Sequence, residues 1–110
     1  MKNILIILTL LLLSGNAYAD GDGRKTVSSA GTAEALSATS TLFKNITVCA
    51  ELNNTGNIAV GLSPVAAANS DEGIILDAGD CYSPSTSGNL STLQIDATVN
   101  GDGVTYHYEN

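Results

Sequence analysis

The closing stretch STLQIDATVNGDGVTYHYEN constrains the fold more than any other part of the chain. In its first half Leu93, Ile95, Ala97 and Val99 alternate with Thr92, Gln94, Asp96 and Thr98. In its second half Val104, Tyr106 and Tyr108 alternate with Thr105, His107 and Glu109. A repeat of two, carried by β-branched and aromatic residues, marks strands with one face in a core and the other in water. Asn100-Gly101-Asp102-Gly103 lies between the runs and holds residues that tolerate positive φ, so the spacing predicts a β-hairpin. The hairpin's apolar rows are expected to complete a core that Ile46, Val48 and Ile58 begin.

The same reading extends upstream. Leu42 to Leu52 reads as the central strand, with Ile46, Val48, Ala50 and Leu52 inward and Lys44, Thr47, Cys49 and Glu51 outward. Ile58 to Leu62 and Ile74 to Leu76 read as short apolar strands, and Cys81 to Ser83 as the start of another. Asn53 to Asn57 and Asp77 to Asp80 read as turns, and Ser83 to Ser91 as a loop. The segment from Thr26 to Thr41, rich in Ser, Thr and Ala, reads as an edge strand. Strands recurring about every ten residues, with turns rich in Gly and Asn, predict an all-β fold. The expected form is a single small antiparallel β-sandwich, jelly-roll or Ig-like, of about seven or eight short strands.

The other end of the chain fixes the expected compartment. Lys2 precedes an apolar run from Ile4 to Leu13, Ser14-Gly15-Asn16 breaks it, and Ala17-Tyr18-Ala19 offers small residues. This order is that of a secretory signal peptide cleaved after Ala19. The run is too short for a bilayer core, which needs about 20 apolar residues. The expected organisation is a signal peptide at 1–19, a polar flexible leader at 20–30 opening DGDGRK, and a β-domain at 31–110. The product is expected in the periplasm or outside the cell, with no membrane insertion once the signal is gone.

Charge narrows the partners. The whole chain carries a formal net charge of −7, and removing Lys2 leaves Arg24, Lys25 and Lys44 against 11 acidic residues. Nucleic acids and anionic membrane surfaces recruit cationic side chains, so neither is an expected partner. Spread over the surface, the acids keep like molecules apart.

Reactive chemistry is sparse. His107 is the single His and falls on the outward side of its run. No Ser sits in a Gly-x-Ser-x-Gly elbow. One His and two Cys are too few, and too oddly spaced, for a structural zinc site. Asp20-Gly-Asp22-Gly and Asn100-Gly-Asp102-Gly resemble oxygen-rich calcium loops but lack the later acids of an EF-hand. No catalytic residue, metal site or cofactor is therefore expected, and the chain does not read as an enzyme. The sequons at Asn45, Asn53 and Asn89 read as polar turns and strand faces. Cys49 and Cys81 would meet an oxidising compartment, where an intramolecular structural disulfide across neighbouring strands is the default.

A family resemblance runs from Gly31 to Glu109. It rests on GTAEALSATSTLFKNITVCAELNNTGNIAVGLSPVA, GIILDAGDCY and LQIDATVNGDGVTYHYE. These stretches resemble small β-domains of bacteriophage virion proteins, with a Gly-Thr-Ala-x-x-Leu-Ser opening and an Asn-Thr-Gly-x-Ile-x-Val-Gly hairpin. Such domains end in an Ile-Asp-Ala strand followed by Gly-x-Gly-Val-x-Tyr. The resemblance implies a structural part of a capsid, fibre or tail surface without enzymatic activity. The chain departs from that pattern in its signal peptide and in Cys49 and Cys81, which suit a secreted relative. The expected function is a non-enzymatic secreted structural or interaction module that associates with itself or with another surface protein. The alternative is a small secreted module for carbohydrate or another surface ligand, which would use Tyr82, Tyr106, Tyr108 or Phe43 as an aromatic platform.

Overall fold

The structure is a computed structural model that describes residues 20–62, 64–68 and 72–110; the segment read as a signal peptide, 1–19, lies outside the described residues. Ten strands follow one another: β1 (Gly21–Thr26), β2 (Glu34–Ala35), β3 (Leu42–Phe43), β4 (Asn45–Ala50), β5 (Ile58–Gly61), β6 (Ile74–Leu76), β7 (Cys81–Tyr82), β8 (Gly88–Asn89), β9 (Gln94–Ala97) and β10 (Gly103–Glu109). All pairings are antiparallel, as the alternating patterns led one to expect. The first sheet has the order β1-β10-β4-β7, the second β2-β9-β5-β6, and β3 pairs with β8 alone. The count exceeds the expected seven or eight because four strands are only two residues long.

One core joins the two large sheets. Ile46, Val48, Ala50 and Val104 reach it from the first, and Ile58, Val60, Leu76, Ile95 and Ala97 from the second. Leu36, Phe43, Leu90 and Leu93 extend it, while Tyr82, Tyr106 and Tyr108 pack along its side. Burying these side chains is the main favourable term for so small a domain.

The flexible leader expected at 20–30 is instead largely ordered, because Gly21–Thr26 is β1, paired along its length with β10. Its two glycines explain this. A Cβ at Gly21 would strike the Tyr108 ring, and one at Gly23 the Tyr106 ring, so the glycines let both tyrosines lie across β1. The edge strand expected over 26–41 shrinks to β2. At its first residue, Glu34 of the second sheet meets Lys25 of the first at 3.0 Å. Glu34 also accepts from the backbone N–H groups of Ser28 and Ser29, which stitches the intervening turn.

The expected closing hairpin does not form. β9 pairs with β2 and β5 in the second sheet, whereas β10 pairs with β1 and β4 in the first. Residues 98–102 are thus a crossover between sheets. A type I′ turn needs positive φ at both central residues, yet Gly101, at +90°, is the only one of Asn100–Gly103 with positive φ. The crossover is held by Gly101 N–H donating to Val27 O and Val27 N–H donating to Asp102 O. Val99, expected inside, is 40% exposed on this crossover. Leu52, also expected inside, is 88% exposed because β4 ends at Ala50 and the chain turns away.

Asp96 departs in the opposite direction, from the expected outer face to 1% exposure. The second sheet is covered on its far side too, where Ala59, Val65 and Ala67 form a small second cluster against Ala33 and Ile75. Asp96 lies opposite Ala59 in the register and is buried under that cover.

Candidate functional site

The outer face of the first sheet gathers the polar side chains that its strands direct away from the core. Register places Asp22, His107 and Thr47 in one row across β1, β10 and β4. The next row runs Arg24, Thr105, Cys49 and Cys81 across all four strands. Between the rows lies a shallow depression of about 340 Å³, lined chiefly by Asp22, Thr47, Cys49, Thr105, Tyr106 and His107.

Cys49 and Cys81 are disulfide-bonded, as the sequence led one to expect, with Cα atoms 4.0 Å apart. They sit directly opposite in the β4–β7 register, so the bond fastens the two-residue β7 to the sheet. The Thr47 and Ser83 hydroxyls are 2.8 Å apart and add a second fastening beside it. A disulfide is compatible with an extracellular or periplasmic location.

His107 is held at both ring nitrogens. Nδ1 lies 2.6 Å from Asp22 Oδ1 and Nε2 lies 3.3 Å from Glu109 Oε1. The hydrogen bond it makes to Asp22, then that to Glu109, raises the imidazole pKa above its usual value against a smaller opposing effect of desolvation. The charged ring donates in both directions. Because the two carboxylates engage opposite nitrogens, they cannot converge with this His on a single metal ion. Beside this cluster Arg24 forms a two-pronged bond to Glu51, at 2.7 and 2.9 Å.

The oxygens of the two loops that resemble calcium ligands point to protein donors. Asp20 Oδ1 accepts from the N–H of Asn110, and Asn100 Oδ1 from that of Ala30. Asp102, 6% exposed, accepts from the N–H groups of Thr55 and Gly56. Among the described residues no three His, Cys, Asp or Glu side chains are grouped to hold a metal.

Two buried carboxylates therefore act as pegs, and the sequence reading missed both. Asp96 accepts from Gly31 N–H at 2.9 Å and Ala67 N–H at 3.0 Å, drawing two separate loops onto the second sheet. Asp102 holds the 53–57 turn against the crossover, and Asn54 reinforces it through paired bonds with the backbone of Gly103. Signals for both exist in retrospect. Asp96 is the only acid in an outward set of Thr and Gln, and Asp102 sits between glycines that permit close backbone approach.

The aromatic candidates do not form an exposed platform. Phe43 is 3% exposed, and the three tyrosines are half-buried against the core. A second hollow of about 430 Å³ lies at the β3–β8 pair. Its central Asn89 is occupied: Oδ1 accepts from Thr41 and Ser91, and Nδ2 donates to Ser40.

No family model, curated protein or solved structure matches the chain.

Proposed function

We propose that this chain is a non-enzymatic secreted module that builds or decorates an extracellular or particle surface, associating with copies of itself or with another surface protein. The observation that carries this reading is the employment of its polar side chains. Asp96 and Asp102 are bound to backbone N–H groups, His107 is bound at both nitrogens, and the two cysteines are joined to each other. A reaction needs a group free to accept or donate a proton at a substrate, and here these groups fasten loops and strands instead. The resemblance to virion surface domains, and the signal peptide read at residues 1–19, support the same assignment.

The test pairs light scattering of the exported, disulfide-bonded protein with a glycan array probed by that protein. Assembly, or capture by a purified surface protein of the producer, without glycan binding is the expected result. Saturable binding to one glycan class by a monomer would overturn the reading in favour of a carbohydrate module.

A further inference from the structure

Among the described residues β1 ends the first sheet, with no strand paired on its outer side. It is the longest edge of either large sheet, at six residues against two for β7 and β2 and three for β6. It contains no Pro, and its register with β10 runs unbroken from Gly21 to Thr26. A strand edge of this kind presents a row of N–H and C=O groups that another strand can complete. Charges on an edge strand normally deter such pairing, so their order decides which partner is tolerated.

We propose that β1 pairs with β1 of a second copy of this chain, antiparallel, about a two-fold axis at Gly23. The inference rests on the self-associating form of the function proposed above. Opposed residues in a sheet must share a face, so a two-fold axis perpendicular to the sheet and midway between the strands sets one residue opposite its own copy. An axis at Asp22 or at Arg24 would oppose each of these to its own copy, setting like charges together. The axis at Gly23 alone opposes Asp22 to Arg24 of the second copy, twice by symmetry. Side chains directly opposite on one face have Cβ atoms about 5 Å apart, close enough for an ion pair.

Both side chains retain room for the contact, since Asp22 is 82% and Arg24 61% exposed. Across the junction the charges then alternate: Glu51, Arg24, Asp22 of the second copy, and His107 and Glu109 beside it. On the core-facing side Gly21, covered by the Tyr108 ring, meets Lys25 of the second copy. The two first sheets become one continuous sheet.

The experiment uses sedimentation equilibrium on the exported, disulfide-bonded protein and on two charge reversals, Asp22→Arg and Arg24→Asp. Each variant alone places like charges across the axis, and its self-association is expected to weaken by about tenfold or more. Mixing the two variants in equal amounts opposes Arg to Asp at both positions and restores the dimer. Recovery on mixing is something a merely structural role of either residue would not produce. Hydrogen exchange on the unaltered protein gives a second readout, with the outward N–H groups of β1 gaining protection as concentration rises. Variants that assemble like the unaltered protein, or fail to recover on mixing, overturn the β1 interface while leaving self-association standing. An unaltered protein that stays monomeric, with β1 unprotected, also overturns it, and leaves a different surface protein as the partner.

Discussion

Asp96 is the side chain whose loss should be felt most widely. Alanine in its place would leave the N–H groups of Gly31 and Ala67 without their acceptor, each costing about 1–3 kcal/mol if it stays dry. Urea denaturation of Asp96→Ala should show a loss of about 2–6 kcal/mol for the two together. Leu52→Ser, at a site 88% exposed, should shift stability by no more than about 0.5 kcal/mol. The two outcomes reverse what alternation alone would assign, because a repeat of two gives the face of a strand but not what covers that face. The ionisable pairs give opposite dependences on pH. His107 has a raised folded pKa, so its contribution is present below the ordinary value of 6.5 and fades as pH rises through the folded value. An NMR titration of the ring should show that raised value, and Asp22→Asn should lower it. For Glu34, burial pushes the carboxyl up, but the Ser29 N–H, Lys25 and the Ser28 N–H outweigh it and hold it below 4.5. Its contribution is present above 4.5 and is lost as pH falls through the folded value.

Among the elements, β10 has the greatest reach, because it lies between β1 and β4 and carries Val104 into the core. Truncation after Asn100 removes it and exposes both neighbours along their length, so the shortened chain should not fold. A well-dispersed NMR spectrum from that chain would contradict this. β7 stands at the other extreme, two residues held by the Cys49–Cys81 bond. Closing a loop across a sequence separation of 32 is worth about 3–4 kcal/mol in the chain-entropy account. Replacing both cysteines with Ser should lower stability by about that amount, and hydrogen exchange should speed up first at β7 and the 77–80 turn. The strands β4, β5, β6 and β10 were legible because their apolar residues recur at the right spacing. The partners of β9 and β10 were not: Asn100-Gly101 looks the same in a hairpin and in a crossover, and the choice falls to the Asp102 and Val27 contacts. β1 was illegible for another reason. Its glycines look like looseness until the tyrosines that cover them are known.

At the scale of the whole molecule, the all-β class followed from local pattern and the disulfide from the expected compartment, whereas the division into two sheets depended on contacts between distant residues. β1 and β10 show this most clearly, since Asp22 and His107 meet across 85 positions of sequence. Pairing of such distant segments makes folding slow relative to helical chains of this size. It also sets an order of events during synthesis. β10 is made after both of the strands it must lie between, so the first sheet cannot close until β10 has left the ribosome. Until then β1 and β4 lack the strand that joins them, and the chain stays open enough to be threaded through a narrow channel.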